Sequence, residues 1–320
     1  MSAQRELRPP GILDHITLVM TAALLGSSFV AIEVAVRSLT PWVVVSGRCI
    51  VATLCMTVVV GGVRKTFRNL GAARVIGVSL TMFVLPYLCF AYGEQHVSAA
   101  QVSVLVSLGP IVSALVAHLA TADERIGILD VGRLAVGLAC VGWAAGIDVH
   151  APIAWAAALS IVLALASYAV GGVCIRMWSS RATPLEMATA ALVVASVVSV
   201  VGAVRTLDVD KMLQAPLEAH LSVLWLGVGP TATAFALRFR QTAALGVRYV
   251  AFAGWLMPLF GLGLAALFSG DTLEWPMVFG VVLVLALVVG PSIHNALSPQ
   301  TNNTSPADPA SGGPGKAPRV

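Results

Sequence analysis

Ten stretches of about 20 predominantly apolar residues follow one another along this chain, and about 20 such residues are what a helix needs to cross a bilayer. They run over 16–36, 42–62, 74–93, 98–119, 129–147, 153–174, 185–204, 220–237, 246–268 and 276–293. The charge content points the same way. The 320 residues are 58% hydrophobic and only 11% charged, against about 25% charged in soluble proteins. A chain of this length could bury a soluble core but could not cover it with so few charges. Its 29 glycines and 17 prolines exclude a collagen-like or disordered polymer. The net charge of +4 is not gathered into an aromatic-rich basic patch, so nucleic acid is not expected as a partner. The expected class is an all-α polytopic membrane protein.

Lysine and arginine set the expected orientation. With the N-terminus inside, inner segments hold 15 of them: Arg5, Arg8, Arg64, Lys65, Arg68, Arg74, Arg125, Arg133, Arg176, Arg181, Arg238, Arg240, Arg248, Lys316 and Arg319. Outer segments hold three, Arg37, Arg205 and Lys211. This bias predicts both termini in the cytoplasm and a multi-pass protein of the cytoplasmic membrane. The first stretch lacks a cleavage site and is read as a retained span over a short cytoplasmic segment 1–15. Residues 299–320 are polar and rich in Pro, Gly, Ser and Ala, predicting a disordered cytoplasmic tail. The Asn-x-Ser/Thr matches at Asn302 and Asn303 then fall on the wrong side for glycosylation. Five isolated cysteines, Cys49, Cys55, Cys89, Cys140 and Cys174, form neither a disulfide framework nor a zinc site.

A shift of 148 residues lays Pro110 on Pro258, Asp123 on Asp271, Gly132 on Gly280 and Gly142 on Gly290. Each block holds a mid-helix proline, an apolar run, an acidic turn and a further helix. Two five-span halves follow, 16–147 and 153–293. Five is odd, so the second half inserts upside down relative to the first. Inverted repeats recur in secondary transporters, with the substrate site between them near the midplane.

The motifs that carry a family resemblance are Gly26-Ser-Ser-Phe29, Arg48, the stretch Val106–Leu119 followed by Glu124, the stretch Leu226–Leu237, and the stretch Leu256–Leu273. Over about residues 12–293 the chain resembles the ten-helix EamA-type transporters of the drug/metabolite transporter superfamily. Two positions depart from the family's usual pattern: Leu25-Gly26 stands for Trp-Gly, and Gly270-Asp271 for Gly-Glu. The resemblance implies a secondary transporter that exports a small organic metabolite, such as an amino acid, nucleobase or amphipathic drug, by alternating access. A passive channel or a membrane-embedded enzyme are the alternatives.

Glu33 and Arg48 are charges inside spans, at depths that differ by roughly 5 Å. Each needs a partner or a polar cavity, so they are read as an outer ion pair or a gate. The candidates for the substrate pathway are Tyr87, Gln101, Ser103, Ser107, Pro110, Ser167, Tyr168, Tyr249, Trp255 and Pro258. The tyrosines, serines and tryptophan read either as interfacial anchors and helix glue or as a mixed aromatic and hydroxyl pocket. The prolines Pro86, Pro110, Pro230 and Pro258 each free a carbonyl near position i−4, which serves a packing kink or a hinge. Gly142 and Gly146 form a GxxxG seam, within the protein or in a homodimer. His96 and Glu94 cap the junction between the third and fourth spans. Walker A, HExxH, Gly-x-Ser-x-Gly and dinucleotide motifs are absent from the sequence, so no cofactor, metal or catalytic group is expected. The partners expected are a small-molecule substrate and the lipid bilayer.

Overall fold

The computed structural model describes residues 10–120, 152–178, 180–245, 247–269 and 274–283, together with positions 132, 136, 139, 143, 144 and 286. Among the described residues all regular structure is helical. Helix α1 (Ile12–Val36) starts four residues before the expected span, where the Gly11 N–H donates to the Asp14 carboxylate at 2.8 Å. Helix α2 (Pro41–Val60) opens on a proline, which has no N–H to leave unbonded in the first turn. It ends at Gly61, whose φ of 75° suits a residue without a side chain. The short basic helix α3 (Arg64–Leu70) leads through Gly71 into α4 (Ala72–Ser79), which runs on through a π-helical segment, Leu80–Val84, into α5 (Leu85–Gly93).

Helix α6 (Ala99–Val106) is capped by Ser98, and α7 (Gly109–Ala120) follows. Helix α8 (Pro152–Trp178) and helix α9 (Pro184–Thr206) come next, the latter capped reciprocally by Thr183 and Glu186. After the short α10 (Val209–Gln214), helix α11 (Leu217–Leu226) passes through a second π segment, Gly227–Thr233, into α12 (Ala234–Leu245). Helix α13 (Val247–Leu264) ends in a third π segment, Ala265–Ser269.

Among the described residues, six continuous helical runs are long and apolar enough to cross a membrane: Ile12–Val36, Pro41–Val60, Ala72–Gly93, Ile153–Ile175, Pro184–Thr206 and Leu217–Arg238. The chain is a polytopic helical membrane protein. The expected fourth span is not one helix. It breaks at Ser107 and Leu108, just before Gly109-Pro110, because Pro110 has no N–H to bond the Val106 carbonyl. The fifth and tenth expected spans lie largely outside the described residues, as do Gly142, Gly146 and the tail from 299 to 320.

The packing is between elements far apart in sequence. Helix α1 lies against α11 and α13, α2 against α9 and the second π segment, and α4 against α9. Helices α5 and α7 both lie on α8, and α6 lies on α13. The main core gathers Phe29, Val44, Met56, Phe83, Tyr87, Ile161 and Leu192 between these helices. Large apolar side chains such as Leu54, Val58, Leu163 and Val201 point outward, as lipid requires of a bundle's rim.

Helices α1 and α13 touch almost backbone to backbone. A Cβ on Gly26 would lie 2.8 Å from the Met257 carbonyl oxygen and the Gly261 nitrogen, and a Cβ on Gly261 would run into Ser103 and Phe29. Backbone atoms cannot step aside as a flexible side chain can. Gly26→Ala should therefore lower the stability of the purified protein by about 1–3 kcal/mol, the usual penalty for overpacking. Gly77→Ala in α4, where an added Cβ meets nothing within 4 Å, should be neutral or stabilising by up to about 1 kcal/mol. Thermal melting in one detergent compares the two. Equal melting temperatures for both variants would contradict the close α1–α13 approach.

Candidate functional site

The polar centre of the molecule begins with two prolines and the carbonyls they free. In the first π segment the backbone bonds skip five residues, Leu85 N–H donating to the Leu80 carbonyl. The next bond in that register would run from position 86 to Thr81, and Pro86 has no N–H. The Thr81 carbonyl instead accepts from the Ser167 hydroxyl of α8 at 2.8 Å. In the second π segment Pro230 likewise leaves the Leu226 carbonyl without its α-helical donor. The Thr231 hydroxyl donates to that carbonyl at 2.8 Å, five residues back as the π register allows. A π segment shifts which side chains face the interior, and here it turns Thr231 fully inward (0% exposed).

Thr231 is the acceptor for Arg48. The Arg48 Nε–H donates to Thr231 Oγ1 at 2.7 Å, and the guanidinium lies 3.7 Å above the centre of the Tyr87 ring. The Tyr87 hydroxyl is 3.5 Å from the same threonine oxygen. Arg48 is 6% exposed and Tyr87 1%. A guanidinium stacked on an aromatic face and bonded through one edge is held by cation–π attraction and one charge-assisted hydrogen bond.

The expected direct pair between Glu33 and Arg48 is replaced by separate partners. Glu33 Oε1 accepts from Arg37 Nη2 at 2.8 Å, one turn along the same helix, and Oε2 accepts from the Ala99 N–H at the start of α6 at 3.2 Å. The depths match, but the faces do not. Glu33 points toward α6, whereas Arg48 points toward α5 and the second π segment.

The other expected candidates are spread over several environments. Tyr168 stacks on Phe90, with ring centroids 6.2 Å apart, and Phe90 on Phe29 at 6.0 Å. Ser103 is buried beside Gly261 and donates to the Ala99 carbonyl, and Ser107 donates to the Val104 carbonyl. The Gln101 side chain accepts from the Ser98 N–H, closing the capping box of α6. Pro258 is buried in α13. Pro110, Tyr249 and Trp255 lie on α7 and α13, with side chains outside the described ones. Thr231 and Glu94 were missing from the sequence-derived set. The freed carbonyl of Pro230 was the available signal for Thr231.

Glu94 follows the run Ala72–Gly93 directly and ends α5. It is 4% exposed, and neither carboxyl oxygen has a hydrogen-bond partner among the described residues. It lines a cavity of about 530 Å³ with Glu33, Arg37, His96 and Ser98. Burial pushes its carboxyl well above the usual carboxylate range, the nearby Glu33 charge adds to this, and Arg48 opposes it less strongly.

Two regions of the chain, 14–145 and 155–290, each match the model of the EamA-like transporter family. A solved chain described as "Crystal structure of protein" superposes with a TM-score of 0.58 at 15% identity, covering 88% of this chain and 98% of its own, a likeness of fold. Comparison with curated proteins gives no match. The chain belongs to the EamA-like transporter family. It is a membrane transporter of the drug/metabolite type, in a family of transporters rather than enzymes.

Thr231→Val keeps the shape of the side chain but removes the acceptor of Arg48 and the donor to Leu226. Its melting should reveal a loss of about 1–3 kcal/mol. Thr233→Val removes a bond to Val228 from an exposed side chain and should cost under about 1 kcal/mol. Arg48→Lys should not restore a lost function, because an ammonium cannot lie flat on Tyr87 while donating sideways. A loss equal at positions 231 and 233 would contradict the role of Thr231.

Glu94 carries a pH dependence of defined sign. An acid whose folded-state pKa is raised favours folding while protonated in both states. It disfavours folding once the unfolded chain ionises first. Compared with Glu94→Gln, the wild-type protein should be similarly stable below about pH 4.5, the ordinary value of this carboxyl. It should lose stability relative to the variant as pH rises from there toward the raised value. Parallel pH-dependent melts would refute this if the gap stayed constant.

Proposed function

We propose that this protein is a secondary transporter that exports a small organic metabolite from the cytoplasm by alternating access. In this reading ten spans form two inverted five-helix halves, 16–147 and 153–293, between the segment 1–15 and the tail 299–320. Both termini face the cytoplasm, and the protein sits in the cytoplasmic membrane. The substrate pathway runs past the Arg48–Tyr87–Thr231 group and the aromatic ladder through Phe90 and Tyr168, with Ser103, Ser107 and Ser167 offering hydroxyls nearby.

The packing pattern carries this reading. Numbered by expected span, the contact of the first with the ninth (α1 and α13) is matched by that of the sixth with the fourth (α8 and α7). The third meets the sixth (α5 and α8), and the eighth meets the first (α11 and α1). The second meets the eighth (α2 and the second π segment), and the seventh meets the third (α9 and α4). Adding five to each span number thus carries one contact into another, as a two-fold relation between halves requires. Both the third and the eighth spans are interrupted by a π segment beside a proline. An interface made of two equivalent surfaces can rock toward either side, and a ligand shifts the balance when it binds the two states differently. Export itself, the metabolite class and the orientation are supported by the family resemblance and by the 15-to-3 basic bias.

Proteoliposomes loaded with single amino acids, nucleobases or cationic drugs would test the reading. Saturable flux accelerated by unlabelled substrate on the opposite side is the expected result, together with cytoplasmic signals from reporters fused to both termini. Unsaturable flux at channel-like rates would replace the carrier by a channel, and chemical conversion without movement would replace it by an enzyme.

A further inference from the structure

The cavity at the α5–α6 turn holds a feature that the packing of the bundle does not require. Glu33 has both carboxylate oxygens engaged, one by Arg37 and one by the Ala99 N–H. Glu94 stands beside it, nine-tenths buried, with both oxygens unpartnered among the described residues. Leaving an ionised carboxylate in such a place is strongly unfavourable, so burial favours its neutral form. We propose that this cavity of about 530 Å³ is a binding subsite for a small organic cation, and that the Glu94 carboxyl is the group that pairs with the cation's charge.

The charges that face Glu94 fit this assignment. From α1 come Glu33, whose charge further disfavours ionisation of Glu94, and the more exposed Arg37 that bonds Glu33. From α2 comes the Arg48 guanidinium, whose influence on Glu94 is weaker than that of Glu33. From its own turn comes His96, which stacks edge-on against Tyr92 with ring centroids 5.1 Å apart. An anionic ligand would meet two carboxyl groups here. A bare metal ion would need a set of ligands, and no group of three His, Cys, Asp or Glu side chains suited to a metal exists among the described residues. A cation with its own N–H donors or a spread charge needs only one carboxylate and room. The volume falls within the range of about 300–1,000 Å³ usual for small-molecule sites.

Proton balance follows directly. The cation enters charged, the Glu94 O–H bond breaks, its proton goes to solvent, and the carboxylate left behind pairs with the cation. The net charge of the site stays the same, so the desolvation penalty of a lone carboxylate never arises. The subsite's place on a transport path rests on the reading of the previous subsection, but cation binding does not.

Calorimetry on the full chain in detergent, with methylammonium, phenethylammonium and tetraethylammonium as probes, tests the proposal. At least one should bind saturably and release about one proton per cation, read from the difference between buffers of unlike ionisation enthalpy. Affinity should then rise about tenfold per pH unit while Glu94 remains protonated in the empty protein. Phenylpropionate should not bind at this site. Glu94→Gln resembles the neutral carboxyl in shape and should weaken cation binding about tenfold or more and abolish proton release. Infrared difference spectra of the unsubstituted protein should show loss of a protonated carboxyl band on adding the bound cation, a readout that does not need the variant to fold. No saturable binding by any of the three probes, unchanged affinity and proton release in Glu94→Gln, or an unchanged carboxyl band would each overturn the proposal. Binding without flux in proteoliposomes would remove the transport reading and leave the subsite. Flux without Glu94-dependent binding would do the reverse.

Discussion

A helix in hydrocarbon must satisfy its own backbone, and a proline within it leaves one carbonyl without a donor. At Pro230 the helix answers the missing α-helical donor by a change of register. The helix widens to π geometry, Thr231 turns inward to bond Leu226, and the same hydroxyl oxygen receives Arg48 from α2. Tyr87 on α5 then closes over the guanidinium. Thr231 thus gathers Arg48 and Tyr87 from 183 and 144 residues away and places a buried cation among the three elements. The corresponding shortage at Pro86 is met from α8 by Ser167. Proline gaps bridged by hydroxyls on neighbouring helices give strong contacts that nonetheless depend on only one or two hydrogen bonds each.

Arg48 and the acidic pair Glu33 and Glu94 stand in two different places. Arg48 is held by a hydroxyl and an aromatic face, with no carboxylate bonded to it among the described residues. Glu33 is neutralised locally by Arg37, and the Ala99 N–H ties it to the start of α6. Glu94 is left over, buried at the rim of the cavity. A direct Glu33–Arg48 bridge would have joined α1 to α2 and left Thr231 without its cation. The arrangement observed places Arg48 in contacts between the two family-matched regions and keeps Glu33 and Glu94 together beside the cavity. Close approach of α1 and α13 through Gly26 and Gly261 serves the same interface by removing side chains from between two backbones.

Membrane class and family were legible in the sequence because both depend on properties that survive averaging over a window. An apolar run stays apolar whichever way its helix is rotated, and a motif such as Gly26-Ser-Ser-Phe29 is read in one dimension. Gly26 was legible as part of that motif, though the backbone contact that makes it necessary was not. Tyr87, Ser167 and Arg48 were singled out because a polar group inside a span needs a reason. The partner of each was not legible. Arg48 and Thr231 are 183 residues apart, and a count of residues along two helices gives depth without direction. Pairing Glu33 with Arg48 by depth therefore failed at the angle of rotation.

By itself the sequence determined that this chain crosses a membrane as helices and belongs with the EamA-like transporters. Bilayer thickness and backbone hydrogen bonding leave few alternatives to a chain of long apolar runs. It also marked Pro86, Pro110 and Pro230, near which the regular α-helical bonding changes, although Pro258 sits inside an unbroken α13. Only the tertiary structure decided which neighbour fills each interruption, which face of α2 carries Arg48 inward, and that Glu94 is buried beside a cavity rather than hydrated in a turn. These depend on how helices rotate and pack against one another. That packing is a sum of many small contacts between distant residues, which no local stretch of sequence contains.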